Sequence, residues 1–157
     1  MKIRLIVVGK TAFEDLKVGE SRYEQRLIHY CNYERITLPD IKTPKTYSPT
    51  QLKEKEGELI LSKLKPTDYV VLLDENGSEF SSVQFSQWLS QKQMQQSPNM
   101  VFIIGGAFGF SPNINNRAQF KIALSKMTFS HQMVRVIFLE QLYRAFSIIK
   151  GEPYHHV

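Results

Sequence analysis

The chain has 157 residues, of which 42% are hydrophobic and 22% are charged, so it is predicted to form a single globular domain over residues 1–157. This composition excludes disordered and fibrous proteins, and apolar runs far shorter than the ~20 residues of a membrane span exclude a membrane protein. The net charge is +5, and residues 101–157 hold six basic and two acidic side chains, which favours a polyanionic partner such as nucleic acid.

Strands and helices are predicted to alternate along the chain. The N-terminal half is predicted to contain a strand Lys2–Val8, a helix over residues 11–30, a strand over 33–38, a loop over 40–49, and a helix from Ser48-Pro49 to about Leu64. The first strand is apolar and rich in β-branched residues, as a buried strand is, whereas the first helix carries large side chains at helical spacing.

The C-terminal half continues the alternation. Its predicted elements are a strand over 69–73 closed by an acidic turn over 74–77, a helix from Ser81 or Ser82 to about Met94, a strand over 100–104, a short helix opening at Ser111-Pro112, a strand over 120–124, and a helix over 131–150. This pattern predicts an α/β fold with a mostly parallel sheet and helices on both faces.

Loops that follow strands form the candidate site, because ligands of open parallel sheets bind beyond the carboxyl ends of the strands. Gly105-Gly106-Ala107-Phe108-Gly109 follows the fourth predicted strand, where glycines let a ligand approach the backbone closely. The first strand ends in a lone Gly9, and no G-K-[ST] follows the later glycines, which argues against dinucleotide and P-loop sites. The glycines therefore predict either the floor of a small-molecule pocket or a tight turn without a ligand.

Two further loops are expected to meet this one at the same edge of the sheet. The acidic turn over 74–77 follows the third strand, and the segment 123–130 follows the fifth. The second segment is apolar with spaced hydroxyls, so its backbone can wrap an adenine edge while Leu124, Met127 and Phe129 pack on the ring faces. The alternative is that Met127 and Phe129 are core side chains.

The last predicted helix carries two arginines in an otherwise apolar sequence. His131 and Arg135 are four residues apart and share a face, whereas Arg144 lies on the opposite face. A helix that is apolar nearly all round is predicted to be buried between its own sheet and a second subunit. Arginines in such a place need a phosphate, a carbonyl or a carboxylate such as that of Glu140.

The segment Tyr154-His155-His156 offers a stacking ring and two imidazoles, or else it is a frayed end. No metal site is expected, because adjacent histidines ligate one metal poorly and no cluster of Asp, Glu or Cys accompanies them. Cys31 is the single cysteine, which excludes an intrachain disulfide framework and favours a reduced, cytoplasmic setting.

Several segments resemble the ribosomal RNA large-subunit methyltransferase H family, which belongs to the SPOUT superfamily. They are 55–58 (KEGE), 105–109 (GGAFG), 124–135 (LSKMTFSHQMVR), 140–145 (EQLYRA) and 152–155 (EPYH). The length and the order of these motifs agree along the whole chain. One position departs from the family, since Ser130 stands where a proline usually precedes the histidine, and a serine there can cap the last helix.

The resemblance implies a SPOUT-like fold with a C-terminal trefoil knot and a homodimer as the working unit. It implies methyl transfer from S-adenosyl-L-methionine to N3 of a pseudouridine in 23S ribosomal RNA, with the assembled ribosome as the substrate. The residues that would hold this cofactor are Leu73, Gly105, Leu124, Ser125, Lys126, Met127, Thr128 and Phe129. His131 and Arg135 are expected to contact RNA, and the protein is expected in the cytoplasm without a membrane or a metal.

Arg144, Tyr154 and His155 are the expected catalytic residues. Arg144 would stabilise charge on an oxygen of the reacting base, and Tyr154 would stack on the base or orient it. His155 would accept the N3 proton as a general base, with water as the alternative acceptor. Two other functions stay open: a ribosome-associated binding protein that retains the nucleoside pocket without catalysis, and a different α/β enzyme that acts on a small nucleotide-like ligand.

Overall fold

The computed structural model describes residues 1–41, 47–95 and 99–156. Its strands are β1 (Lys2–Val8), β2 (Asn32–Leu38), β3 (Tyr69–Glu79), β4 (Asn99–Ile104) and β5 (Phe120–Ala123). Its helices are α1 (Glu14–Leu27), α2 (Pro49–Leu61), α3 (Ser82–Met94), α4 (Pro112–Arg117) and α5 (Met133–Ile149). Strands and helices alternate, as the sequence predicted.

The strands form one sheet in the order β2-β1-β4-β3-β5, and every neighbouring pair is parallel. Buried side chains of α1, α3 and α5 pack on one face of this sheet, and those of α2 and α4 pack on the other. The predicted α/β class, the parallel sheet and the helices on both faces are therefore confirmed.

The first strand is internal to the sheet and buried on both faces. Ile3, Leu5 and Val7 point into the layer that contains α5, while Ile6 and Val8 point into the layer that contains α2. Full burial of one such side chain stabilises the fold by about 1.5–3 kcal/mol. This two-sided burial explains the continuous apolar run, and the predicted bounds of β1 match the observed ones.

Serine side chains fix the starts of three helices. The hydroxyls of Ser48 and Ser81 each accept the backbone N–H three residues further on, and the side-chain oxygens of Gln51 and Gln84 accept the N–H of the serine in return. Ser111 accepts an N–H at the start of α4 in the same way. Each cap stabilises its helix by about 1 kcal/mol, and these positions agree with the predicted starts of α2, α3 and α4.

The third strand runs past the turn that the sequence predicts over residues 74–77. It pairs with β5 as far as Leu73, bulges, and pairs again at Ser78 and Glu79. Gly77 lies against the backbone of β5, where a Cβ would come within 2.7 Å of the amide nitrogen of Ile122. The predicted strand end at Leu73 is therefore wrong, because backbone pairing resumes beyond a bulge whatever the polarity of the side chains.

Two helices begin later than predicted because the residues before them make other hydrogen bonds. Thr11 donates its hydroxyl to the buried carboxylate of Glu20 at 3.0 Å, ahead of α1. The hydroxyl of Ser130 accepts the N–H of Met133 at 3.0 Å in the turn ahead of α5, whose N-cap residue is Gln132 and makes no capping side-chain hydrogen bond. Of the predicted loop 40–49, residues 42–46 lie outside the described residues. Within the described ranges, no helix combines the length and apolar character that crossing a membrane requires.

Candidate functional site

A cavity of about 680 Å³ opens at the edge of the sheet formed by the carboxyl ends of β3, β4 and β5. Three segments supply most of its wall: 73–76 in the bulge of β3, 104–110 after β4, and 124–131 after β5, with residue 126 excepted. The three loops that the sequence places at one edge therefore meet. The glycines after β4 form part of a cavity wall, which favours the pocket interpretation over a tight turn alone.

Most of the residues predicted to hold the cofactor line this cavity, namely Leu73, Gly105, Leu124, Ser125, Met127, Thr128 and Phe129. Met127 is 77% exposed, so its interpretation as a core side chain is wrong. Lys126 is exposed and is not among the described residues that line the cavity, so its contact with the cofactor stays a prediction.

A side-chain hydrogen bond joins two of the segments that line the cavity. The hydroxyl of Thr128 donates to Oε2 of Glu75 at 2.6 Å, which joins the segment after β5 to the bulge of β3. Asp74 and Glu75 both line the cavity, together with Lys121. In the described part of the chain, no three His, Cys, Asp or Glu side chains are grouped so as to hold a metal ion. The two carboxylates favour a ligand that carries positive charge.

Glycines form the part of the wall that follows β4. A Cβ at Gly106 would lie 2.6 Å from Oε1 of Glu56, and one at Gly105 would lie 3.0 Å from the ring of Phe110. Gly106 donates its N–H to that same Glu56 oxygen at 3.2 Å. Burial raises the pKa of Glu56, although the hydrogen bond from Gly106 opposes the rise. Gly109 has a φ of +83°, a conformation that glycine adopts without strain.

Arg135, which the sequence predicts to contact RNA, lies inside the protein. Its side chain is 0% exposed, and its guanidinium donates to the carbonyls of Val8 and Gly9 at 2.6 and 2.9 Å and to the hydroxyl of Thr11 at 3.2 Å. Burial lowers the pKa of Arg135, and the nearby positive charge of Arg35 lowers it further. The predicted RNA contact is therefore wrong, because the buried guanidinium is bonded to the end of β1 and to the segment that follows it.

The mouth of the cavity carries exposed side chains. His131 is exposed and lines the cavity, in agreement with a position open to a partner. Phe108 and Met127, which also line it, are 52% and 77% exposed. An aromatic ring and a thioether on the rim offer apolar surface on which a planar base can stack or pack.

Arg144, Tyr154 and His155 gather around Glu140, and we call these four residues the Arg144 cluster. Nε of Arg144 and the hydroxyl of Tyr154 both donate to Oε1 of Glu140 at 3.0 Å. The guanidinium carbon of Arg144 lies 4.8 Å from the centre of the Tyr154 ring, and its Nη1 lies 3.1 Å from Nδ1 of His155. The hydrogen bond to Glu140 raises the pKa of Arg144, and burial raises the pKa of Tyr154. The cluster thus presents a cation, a neutral phenol and an imidazole.

The segment that carries Tyr154 and His155 is held against the protein. Tyr30 donates its hydroxyl to Oε2 of Glu152, and this hydrogen bond raises the pKa of Tyr30 to about 12. The rings of Tyr143 and Tyr154 meet edge to face, with their centres 4.7 Å apart. The interpretation of this segment as a frayed end is therefore wrong.

Within one copy of the chain, the Arg144 cluster lies away from the cavity. Val134 of α5 lines the cavity, and Arg144 follows ten residues later, which is about 15 Å along the helix axis at 1.5 Å per residue. None of the three predicted catalytic residues is among the described residues that line the cavity. One chain therefore keeps the two parts of the predicted active site apart.

Sequence reasoning missed Glu56 as a site residue, and for Glu75 it missed the contact with the segment after β5. The sequence signal for Glu56 is its neighbour Gly57, because a glycine inside a helix costs about 1 kcal/mol and often marks a close approach. A Cβ at Gly57 would come within 2.4 Å of the hydroxyl of Ser111. For Glu75 the sequence predicts the acidic turn, but its bond to Thr128 depends on the bulge in β3.

Comparison with known proteins agrees with these features. A family model described as "Predicted SPOUT methyltransferase" matches residues 1–155. The chain is 53% identical over 156 residues to a protein of Parabacteroides distasonis named ribosomal RNA large subunit methyltransferase H, and the match covers 99% of both chains. Proteins of the same name from Flavobacterium johnsoniae and Christiangramia forsetii are 53% and 51% identical over 156 residues, again 99% of each chain. The chain therefore belongs to the SPOUT methyltransferase family.

Proposed function

We propose that this chain transfers a methyl group from S-adenosyl-L-methionine to ribosomal RNA. The observation that carries the proposal is the cavity at the carboxyl ends of β3, β4 and β5, whose wall contains the family segments 105–109 and, except for residue 126, 124–131. The relatives that match along the whole chain bear names that describe large-subunit ribosomal RNA methyltransferases.

The cavity suits this methyl donor in size, charge and lining. Its volume of about 680 Å³ falls within the roughly 300–1,000 Å³ of typical small-molecule sites. Asp74 and Glu75 suit the positively charged sulfonium and amino groups, and Leu124 and Phe129 offer apolar surface to the adenine. When bound, S-adenosyl-L-methionine supplies an already activated methyl group, so the protein has to place the acceptor and manage one proton.

The proposed acceptor is N3 of a pseudouridine in 23S ribosomal RNA within the assembled ribosome, in the cytoplasm. This follows from the resemblance of the segments 140–145 and 152–155 to the family. The net charge of +5 is modest for a protein that binds RNA by phosphate contacts alone, which supports recognition of a folded ribosomal surface. His131, Phe108 and Met127, exposed at the mouth of the cavity, are the proposed RNA contacts.

Arg144 and Tyr154 act on the acceptor base in this proposal. The Arg144 cation stabilises the negative charge that spreads to the base oxygens as N3 loses its proton, and Tyr154 orients the ring. A bond forms between N3 and the methyl carbon while the carbon–sulfur bond breaks. The N3 proton leaves to water, and the sulfur takes up the electron pair of the broken bond to become a neutral thioether.

In this proposal His155 acts as a hydrogen-bond donor and does not act as a general base. A guanidinium group only donates, so Nδ1 of His155, 3.1 Å from Nη1 of Arg144, must accept. With Nδ1 as the acceptor, Nε2 carries the ring proton and has no lone pair left for the N3 proton. Of the two proton acceptors that the sequence left open, water therefore fits the geometry better.

The proposed working unit is a homodimer in which each site joins the cavity of one copy to the Arg144 cluster of the other. The separation of the two parts by about 15 Å of helix within one chain supports this arrangement. Exposed apolar side chains supply surface for a second copy: Phe13 is 60% exposed, Val18 is 53% exposed, and Met133 at the start of α5 is 43% exposed.

The trefoil knot implied by the resemblance also belongs to this proposal. β4 lies between β1 and β3, and β5 lies beyond β3, so the connection from β4 to β5 passes across β3. The Thr128–Glu75 hydrogen bond ties the segment after β5 to the β3 bulge that it passes. These contacts place the segments of the implied knot side by side, and the knot itself follows from the resemblance.

Two measurements test the proposed function. Calorimetric titration with S-adenosyl-L-methionine is expected to show binding, and labelled methyl transfer to ribosomes from cells that lack the activity is expected to yield methylated 23S RNA. Mass spectrometry of that RNA then locates the base and the atom. Binding without transfer would instead support a binding protein with a retained pocket, and turnover of small nucleotides without ribosomes would support a different enzyme.

A further inference from the structure

A buried carboxylate stands behind the glycine wall of the cavity. Glu56 belongs to α2, on the far side of the segment that follows β4, and it is 8% exposed. Its Oε1 accepts the N–H of Gly106 at 3.2 Å. The proposed methyl transfer uses neither this side chain nor the helix that carries it.

This hydrogen bond determines which way a carbonyl group points. A trans peptide bond is planar, so the carbonyl of Gly105 and the N–H of Gly106 point in opposite directions, and the described residues contain no cis peptide bond. Because the N–H of Gly106 points at Glu56, the carbonyl of Gly105 points away from α2. Gly105 itself lines the cavity, so Glu56 sets the direction of an acceptor in the cavity wall.

The peptide between two glycines needs such a restraint. Glycine populates a wide range of backbone angles, so a Gly-Gly pair does not hold its own peptide plane in one orientation. A Cβ at Gly106 would come within 2.6 Å of Oε1 of Glu56, so the absence of a side chain is what lets the carboxylate reach the N–H. The hydrogen bond between Gly106 and Glu56 therefore requires both the glycine and the carboxylate.

The same helix contacts the other end of this loop. Gly57, next to Glu56, lies so close to Ser111 that a Cβ would come within 2.4 Å of the serine hydroxyl. Ser111 is 2% exposed and caps α4. The pair Glu56 and Gly57 thus fixes the cavity loop at its start and at its end, and a displacement of α2 would alter both.

The geometry points to Glu56 as a positioning residue for cofactor binding, acting through the peptide that joins Gly105 to Gly106. This inference rests on the proposed use of S-adenosyl-L-methionine. Without the Glu56 carboxylate, the peptide plane between Gly105 and Gly106 is free to turn. The Gly105 carbonyl then loses its fixed direction toward donor groups of the ligand. The residue affects the affinity for the cofactor and leaves the chemical step unchanged.

The test compares Glu56→Ala, Glu56→Gln and a matched control on the exposed side of the same helix, Glu58→Ala. Affinity for S-adenosyl-L-methionine is measured by calorimetry, and kcat and KM are measured with ribosomes. Loss of a hydrogen bond to a charged group predicts that Glu56→Ala weakens affinity and raises KM by about 10-fold or more, with kcat within about threefold. Glu56→Gln, which keeps an acceptor oxygen, and Glu58→Ala are expected within about threefold of the unmodified protein.

The outcomes separate this inference from the proposed function. If the unmodified protein binds no S-adenosyl-L-methionine, the proposed function fails first. If it binds and a folded Glu56→Ala variant binds equally well, the positioning role is refuted, and equal losses in Glu56→Ala and Glu56→Gln refute it too. Should Glu56→Ala not fold, Glu56→Leu fills the space without an acceptor, and unchanged affinity in that variant would overturn the inference.

Discussion

Glu140 holds Arg144 from one helical turn away, with Nε of Arg144 donating to Oε1 of Glu140 at 3.0 Å. The guanidinium is thereby turned so that its Nη1 meets Nδ1 of His155 at 3.1 Å. Because a guanidinium only donates hydrogen bonds, Nδ1 of His155 is the acceptor in this contact, and Nε2 is left as the nitrogen that can donate. By orienting Arg144, Glu140 thus determines which ring nitrogen of His155 is free to donate a hydrogen bond.

This arrangement predicts that a donor can replace His155. Glutamine places an N–H near the position of Nε2, so His155→Gln is expected to keep single-turnover methyl transfer to ribosomes within about 10-fold of the unmodified rate. His155→Ala removes the donor and is expected to lose about 100-fold. His156→Ala, at an exposed neighbouring position, serves as the control and should leave the rate unchanged. A general base at position 155 would make the glutamine variant as slow as the alanine variant.

Removal of Arg135 is predicted to damage the fold and not RNA recognition. Arg135→Met leaves the carbonyls of Val8 and Gly9 without their buried donor, at a cost of about 1–3 kcal/mol for each unsatisfied group. The free energy of unfolding, measured with urea, is therefore expected to fall by about 3 kcal/mol. Methylation at a temperature where the variant stays folded should be nearly normal. If the variant has normal stability but binds ribosomes more weakly, this prediction is wrong and Arg135 contacts RNA after all.

The sequence predicts well those elements whose burial and ends depend on residues within the element itself. β1 has the predicted bounds because both of its faces are apolar. Ser81 starts α3 because its cap and its partner Gln84 lie within one turn. β3 extends beyond Leu73 for a different reason, since the later residues pair through the backbone across a bulge, and backbone pairing leaves no mark in the polarity of side chains.

The candidate site divides in the same way. The cavity loops could be predicted because each one directly follows a strand of a parallel sheet. The role of Arg135 could not, since its partners are main-chain carbonyls more than 120 residues away, which every sequence offers equally. Glu56 reaches Gly106 across 50 residues, and only the fold of α2 over the sheet brings them together.

Acid is predicted to stabilise the unmodified protein relative to Glu56→Gln. Burial, and then the nearby carboxylate of Asp40, raise the pKa of Glu56 above its unfolded value of about 4.3, against the hydrogen bond from Gly106. A raised pKa means that the folded state favours the protonated form, so this contribution is complete below about pH 4.3 and is lost as the pH rises through the folded pKa.

The measurement is urea unfolding of both proteins at several pH values from about 4 to 7. Glutamine does not ionise, so the free energy of unfolding of Glu56→Gln relative to the unmodified protein should increase as the pH rises. Glu58→Gln, at an exposed position of the same helix, should show no such trend. A difference that is constant with pH, or that decreases as the pH rises, would contradict the raised pKa.

Gly106 and Glu56 are predicted to be energetically coupled. Gly106→Ala places a Cβ 2.6 Å from Oε1 of Glu56, so the carboxylate must move and release the N–H. Each single change, Gly106→Ala or Glu56→Ala, is expected to weaken S-adenosyl-L-methionine binding by about 10-fold. In the double variant the truncated side chain leaves room for the added methyl group, so the loss should stay near 10-fold instead of the 100-fold that independent sites would give. Calorimetric titration of the four proteins measures the coupling, and a loss of about 100-fold would show that the methyl group acts on the ligand directly.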